Sequence, residues 1–337
     1  MKSKKFSVML TVGALAAASM LAGCGNTDGN GTTASQEPSG GGAAYTIGLC
    51  QTVQHDALDA ATNGFQDKLR ELLGEDVSFN LQNAAGDSAT CATIVNQFVS
   101  NDVDLIFANA TAALQAAAAA TDQIPIVGTS ITDYGTALDI TDWTGTTGRN
   151  ITGSSDLAPL EEQAAMIKEL LPDAQNVGLI YCSSESNSKY QVDIVQSELE
   201  ALGYTCTQYS FADSNDIVGV ITSACDASDA LYVPTDNTAA ANTEIINNVA
   251  LPAGVPIIAG EEGICEGCGI ATLSIDYYSL GQKAGEMAYE ILANGADPAA
   301  MEIEYADGLT KKYIPDRCEQ LGITVPEDYT AITAEAE

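Results

Sequence analysis

Basic side chains are scarce in this chain: 12 lysines and arginines stand against 46 aspartates and glutamates, for a formal net charge of -34 over 337 residues. That balance repels phosphate backbones and anionic lipid surfaces, and no basic patch interrupts it, so nucleic acid is not expected as a partner. Histidine is rarer still. His55 is the only one, which leaves little room for a nucleophile-base-acid triad, and no G-x-S-x-G elbow is present to hold a nucleophilic serine. The G-x-x-x-x-G-K-[ST] loop that cradles phosphates is missing, and Gly48 is not part of a G-x-G-x-x-G. No D-x-[DN]-x-[DN]-G loop is there to take calcium. The acidity therefore reads as a solvated surface. Hydrolysis is the least favoured function, and neither a cofactor nor a metal is expected.

Long hydrophobic runs are also wanting. A membrane-spanning helix needs roughly 20 apolar residues; the apolar stretch Phe6–Met20 is shorter, follows the positive Lys2, Lys4 and Lys5, and leads into Leu21-Ala22-Gly23-Cys24. This is the layout of a secretory signal, and the tetrapeptide is similar to a bacterial lipobox, whose cysteine becomes lipid-modified and N-terminal. Residues 1–23 are thus expected to be a lipoprotein signal peptide, Cys24 to carry a lipid anchor, and the protein to sit on the outer face of the cell membrane. Residues 24–43, almost free of large apolar side chains, read as a flexible tether.

Eight further cysteines are scattered from Cys50 to Cys318, several inside apolar runs where cysteine acts as a small buried hydrophobe. Cys265-Glu266-Gly267-Cys268 is a lone C-x-x-C, and zinc would need a second pair of ligands. A local disulfide and two free thiols are both open there.

From Tyr45 onward, short apolar runs alternate with amphipathic segments, which predicts repeated β-α units and parallel sheets covered by helices. Strands are expected at Tyr45–Cys50, Val77–Gln82, Leu105–Ala108 and Pro125–Gly128, and again at Val177–Tyr181, Thr205–Phe211, Ala230–Val233 and Pro256–Ala259. The rhythm breaks at Arg149–Asp156 (RNITGSSD), where polar and glycine residues mark a join. The reading is two Rossmann-like α/β lobes. Residues 44–152 form the N-terminal lobe, with a return segment at about 272–295; residues 153–271 form the C-terminal lobe, with part of 296–330.

In open parallel sheets ligands sit beyond the carboxyl ends of the strands. Those ends are rich in hydroxyl, amide and carboxylate side chains here, and facing rims of this kind would make a polar cleft. The stretch that stands out is Asn176–Gln191 (NVGLIYCSSESNSKYQ), an apolar strand running into small polar residues and then a charged helix. The unpaired first N–H groups of such a helix, with Ser184 and its neighbours, form a receptor for an anion. The same residues, and Asp236 and Asn237 before a later helix, also suit plain helix caps. His55 reads as a first-turn surface group and Trp143 as packing or surface.

The ordered set IGLCQTVQHDALD (Ile47–Asp59), NAAGD (Asn83–Asp87), ANATAA (Ala108–Ala113), GTSITD (Gly128–Asp133), YCSSESNS (Tyr181–Ser188), VPTDNT (Val233–Thr238) and SIDYYSLG (Ser274–Gly281), together with the lipobox, resembles the ABC-transporter substrate-binding family that includes tryptophan- and tyrosine-binding lipoproteins. The resemblance implies a type I periplasmic-binding-protein fold, in which two lobes close on a small solute and deliver it to a membrane permease driven by a separate ATPase. It also implies an aromatic amino acid as solute, and a monomer is expected as the working form. The site residues it brings forward are Gln54, Thr111, Ser130, Ser184, Glu185, Asn187, Asp236 and Glu261. Of these, Thr111, Ser130 and Ser184 suit a carboxylate and Asp236 or Glu261 suits an ammonium. Tyr134 and Tyr190 are candidates to line an aromatic slot. An aliphatic amino acid, a sugar or a nucleoside as solute, or a sensory role on the same fold, remain the alternatives; one tryptophan and six phenylalanines are few for stacking a sugar ring.

Overall fold

A computed structural model describes residues 43–333. Residues 1–23, expected as a signal peptide, Cys24 and nearly all of the expected tether lie outside the described residues. The first lobe is built from β1 (Tyr45–Gln51), α1 (Asp56–Leu73), β2 (Val77–Asn83), α2 (Ser88–Ser100), β3 (Leu105–Asn109), α3 (Thr111–Ala120), β4 (Ile126–Thr129), the single turn α4 (Tyr134–Ala137) and β5 (Ile151–Ser155). The second contains α5 (Leu160–Leu170), β6 (Asn176–Cys182), α6 (Ser186–Ala201), β7 (Thr205–Phe211), α7 (Ile217–Cys225), β8 (Ala230–Val233), α8 (Asn237–Ala240), α9 (Thr243–Ala253), β9 (Ile257–Ala259), α10 (Glu262–Cys268) and β10 (Ala271–Ser274). The chain then forms α11 (Tyr277–Asn294), β11 (Glu304–Tyr305), β12 (Thr310–Tyr313), α12 (Pro315–Leu321) and β13 (Thr330–Ala331).

The strands make two sheets, ordered β11-β5-β4-β3-β1-β2 and β13-β12-β10-β9-β8-β6-β7. All pairings are parallel except β10 with β12. Each sheet therefore reverses its order beside its first strand, and the loops at that reversal, after β1 and β3 and after β6 and β8, open toward a ligand. The chain passes between lobes three times: after β5, after β10 and after β11.

Two departures from the sequence reading have clear causes. The join expected at Arg149–Asp156 contains β5, all five residues of which are buried, so the expected boundary at 152 falls inside a strand of the first lobe. Polar residues survive there because their hydroxyls are paired: Ser154 Oγ lies 3.0 Å from Thr129 Oγ1 and donates to Leu280 O, and Ser155 Oγ donates to Thr132 O. Gly153 is obligatory, since its φ is +150° and a Cβ would lie 2.0 Å from Gly128 O. The return segment expected from 272 likewise starts inside β10, which belongs to the second sheet; α11 makes the actual return.

That return is held by close helix packing. In α11, a Cβ at Gly281 would stand 2.0 Å from Ala61 O of α1. Only hydrogen at this position lets the two helices touch backbone to backbone, and α11 thereby covers the first lobe although its chain arrives from the second. In the tail, β11 joins the first sheet while β12 and β13 join the second. The C-x-x-C lies on α10, where Cys265 and Cys268 are buried free thiols.

Candidate functional site

The second lobe's rim is organised by two carboxylates. Asp236 follows β8 and is almost fully buried; its Oδ1 accepts from Ala239 N at 2.8 Å and its Oδ2 from Cys182 N at 2.6 Å. One side chain thus ties the end of β6 to the first turn of α8. Burial, reinforced by the nearby charge of Glu185, pushes its pKa up to about 7. Glu185 comes from the turn after β6 and spans the same gap in the other direction. It accepts from Asn237 N (3.0 Å), Asn237 Nδ2 (2.7 Å), Thr238 N (2.9 Å) and Thr238 Oγ1 (2.7 Å). The anion-binding end of α8 is therefore filled by the protein's own carboxylate.

The first lobe's rim is linked mainly through neutral groups, with the Asp59 carboxylate accepting from Gln51 Nε2 at 2.6 Å. Thr62 Oγ1 donates to Gln51 Oε1 (2.7 Å), and Asn109 Nδ2 donates to Leu58 O (2.8 Å) and to Thr62 Oγ1 (2.9 Å). Thr52 Oγ1 donates to Asn109 O and accepts from Ala113 N in the first turn of α3. Two residues that end neighbouring strands have left-handed backbones, Ala110 at φ +77° after β3 and Ser130 at φ +56° after β4. Such conformations cost on the order of 1–3 kcal/mol for a residue with a Cβ and collect at binding sites.

Between the rims lies a hollow of 240 Å³. The first lobe lines it with the turns after β1, β2 and β3, including Thr52, Val53, Gly86 and Thr111; the second with the turns after β6, β7 and β8, including Ser184, Glu185, Asn187 and Asn237. The N-terminal ends of α3 and α6 both open onto it, and neither has a side-chain cap. Among the described residues six buried side-chain polar atoms lack a partner. Two of them, Ser186 Oγ and Asn187 Oδ1, belong to residues lining the hollow, and Asn109 Oδ1 and Ser130 Oγ lie at the ends of β3 and β4 in the first lobe. A buried polar atom left unpaired costs about 1–3 kcal/mol, so the rims are arranged for polar atoms that the protein does not itself supply. Asn187 is the clearest instance: its Nδ2 donates to Thr235 O at 3.1 Å, which leaves Oδ1 as an acceptor.

The residues singled out from sequence are distributed as follows. Thr111, Ser184, Glu185 and Asn187 share the hollow. Asp236 sits directly behind it, bonded to backbone. Ser130 is buried one strand farther along the first lobe. Glu261, with its pKa pushed up to about 7 by burial, caps α10 by accepting from Gly263 N and Ile264 N, and lines a second hollow of 370 Å³ beside Glu262, Asp276 and Tyr277. Gln54 is exposed and donates to Asp59 at 3.2 Å. Tyr134 is core: its ring stacks on Trp143 at 6.4 Å and its hydroxyl donates to Ser154 O, so it cannot line a slot in the cleft. Tyr190 is half-buried on α6, which packs against α4 across the lobes.

Two residues escaped the sequence reading. Asp156, buried at the first crossing between lobes, accepts from Thr132 Oγ1 (3.1 Å) and from Tyr277 Oη (2.9 Å) at the second crossing; burial raises its pKa. His55, read as a surface group, stands half-buried with Nε2 3.3 Å from Asn237 Oδ1 of the other lobe. Burial lowers its pKa, against the raising effect of Asn237 and of the acids Glu185, Asp59 and Asp56. Their partners lie 121 and 182 positions away, and only the tertiary fold reveals them.

Two parallel α/β lobes with a polar hollow between their strand ends define a two-lobed solute-binding protein of the type I periplasmic-binding-protein fold. Residues 46–336 match the family described as ABC transporter substrate binding protein, and the chain belongs to that family. Its members are solute-binding proteins and not enzymes. The chain is 36% identical over 294 residues to a tyrosine-binding protein of Clostridioides difficile, covering 86% of this chain and 85% of that one. It is similar to the structure of an ABC domain from Streptococcus pneumoniae in complex with L-Trp (TM-score 0.80, 33% identity, 84% of this chain and 96% of that one). It is also similar to the ligand-free, open structure of a substrate binding protein with adhesive properties from Clostridium difficile (TM-score 0.66, 34% identity, 86% and 100%).

Proposed function

We propose that this protein is an extracytoplasmic lipoprotein that captures an aromatic amino acid by lobe closure and hands it to an ABC importer. The observation that carries this reading is the hollow itself. Its first-lobe lining has no charged side chain, whereas the second lobe contributes Glu185 and Asp213, so the two ends of a zwitterion have different places to go. The solute carboxylate is assigned to Thr111 and to the free N–H groups at the start of α3, where no acid lines the hollow and the helix dipole favours an anion. The start of α6 is the weaker receptor, because the Glu185 carboxylate lies beside it. The ammonium is assigned to Asn187 Oδ1, in the negative field of Glu185 and Asp236. Asp236, with both oxygens on backbone N–H groups, acts as the support of this rim.

Small apolar side chains, among them Val53, Ala85, Ala112 and Ala212, share the rest of the lining with the polar Ser88, Gln115, Ser214 and Asn242. A hollow of 240 Å³, below the roughly 300 Å³ where drug-sized sites begin, suits one small solute. Support from relatives is of the same kind: one similar protein is tyrosine-binding and another was solved with L-Trp. Closure is favoured by the difference in contacts that the solute makes with the two states. A thermal-shift panel of the twenty amino acids with sugars and nucleosides tests the assignment. A ligand that binds only the folded state stabilises it by about 2.7 kcal/mol at a hundred times its Kd, so tryptophan, tyrosine or phenylalanine is expected to raise the Tm by several degrees. A response to sugars or nucleosides alone would overturn it. Loss of the protein from the membrane fraction on Cys24→Ala tests the anchor; unchanged retention would refute it.

A further inference from the structure

Among the described residues one side-chain hydrogen bond joins the two rims beside the hollow: His55, preceding α1 in the first lobe, meets Asn237, beginning α8 in the second and lining the hollow, with 3.3 Å between Nε2 and Oδ1. Its geometry is set from the second lobe. Asn237 Nδ2 donates to Glu185 Oε2 at 2.7 Å and its backbone N–H to the same oxygen at 3.0 Å. With the amide nitrogen committed to Glu185, the amide oxygen is the atom turned to the other lobe, and it can only accept. The ring must therefore donate from Nε2. On its own side His55 has no competing role, since its side chain does not cap α1. The bond depends on lobe position as no intra-lobe contact does: the partners sit on opposite rims, and separating the rims by a few ångströms breaks it outright.

We propose that His55 and Asn237 form a latch that holds the lobes closed over the solute, with Glu185 orienting Asn237 to receive the histidine N–H. The latch deepens the proposed function and rests on it for the identity of the solute. It contributes to the closed state alone, so it slows release and leaves capture little changed. One net hydrogen bond corresponds to a change of about fivefold in the closed-to-open ratio.

The test compares wild-type protein with His55→Ala and His55→Gln, each first shown by its Tm to be folded, using L-tryptophan and L-tyrosine as probes. Stopped-flow release is expected to be about fivefold faster for His55→Ala, with association changed by less than about twofold. His55→Gln, which places an amide N–H at similar reach, is expected to restore most of the wild-type rate. In an Asn237→Ala background the His55→Ala effect should vanish, because the partner is already gone. Small-angle X-ray scattering of the ligand-free proteins should show His55→Ala as more extended than wild type. Equal release rates and equal scattering for wild type and His55→Ala would overturn the latch, as would a His55→Gln variant that behaves like alanine. If wild-type protein binds neither amino acid, the proposed solute fails while the scattering comparison still decides the latch.

Discussion

Eight residues of the first lobe and eleven of the second line the hollow between them, and both charged ones, Glu185 and Asp213, belong to the second. The two rims come from the same β-α unit, and each presents a helix start at the same place, yet they treat it differently. At α3 the first N–H groups face the hollow with only Ala113 N taken, by Thr52. At α8 the equivalent groups are filled by Glu185, whose carboxylate takes four donors from Asn237 and Thr238. One rim keeps an anion receptor open and the other supplies its own anion. The fold fixes where helix starts point; a few side chains decide which sign of charge each rim accepts.

The sharpest way to break this contrast is Glu185→Ala. It strands four donors at the start of α8 and removes the negative field from the second rim. The expected outcome is a loss of about 3 kcal/mol of stability in urea unfolding, with amino-acid binding reduced at least tenfold. A stable variant with unchanged affinity would show that the carboxylate does not organise the rim. Asp236→Ala comes next. It removes an N-cap and the tie to Cys182, for an expected cost of about 2 kcal/mol, and binding should weaken only through the fold.

The buried acids of the second lobe also set a pH dependence, opposite in sense to that of His55, whose pKa burial lowers. Asp236 and Glu261 rise from ordinary values of 3.8 and 4.5 to about 7 when folded. For such groups the folded state holds protons that the unfolded chain releases. Their stabilising contribution is complete below the ordinary values and is lost as pH rises through about 7. The Tm is expected to fall between pH 5 and pH 8, and Glu261→Gln should flatten that slope. A Tm that instead rises over the same range would contradict the burial argument.

On the first rim the expected effects are smaller and concern affinity. Thr111→Val deletes a hydroxyl and keeps the shape, so solute binding should weaken about tenfold with stability changed by less than about 1 kcal/mol. Ser130→Gly relieves a left-handed backbone at φ +56° and is expected to stabilise the protein by about 0.5 kcal/mol with affinity little changed, since Ser130 does not line the hollow. Calorimetric titration and urea unfolding separate the two effects.

Much of this architecture was legible in the sequence because the strands of a parallel sheet are apolar on both faces, and runs such as Leu105–Ala108 and Ala230–Val233 announce themselves. The strand β5 did not, because Ile-Thr-Gly-Ser-Ser looks like a loop until its hydroxyls find buried partners. The short helix α10 was missed as well, being too brief to show a period. Of the candidate site, the strand-end turns could be placed from the rhythm of strands and helices alone. Which residue of each turn faces the hollow could not. Glu185 acts on residues 52 and 53 positions away, and Tyr134 in a strand-end turn bends back into the core. Side-chain direction after a turn is a tertiary property, and sequence spacing does not carry it.

The most direct measurement is calorimetric titration of the protein with L-tryptophan and L-tyrosine beside analogues that keep the ring but lack one end of the zwitterion, an aryl-ethylamine without the carboxylate and an arylpropionate without the ammonium. A neutral rim for the carboxylate and an acidic rim for the ammonium require both ends at once. The expected result is tight binding of at least one amino acid and a loss of a hundredfold or more for either analogue. Equal binding of the amine or the acid would contradict the division of labour between the two rims.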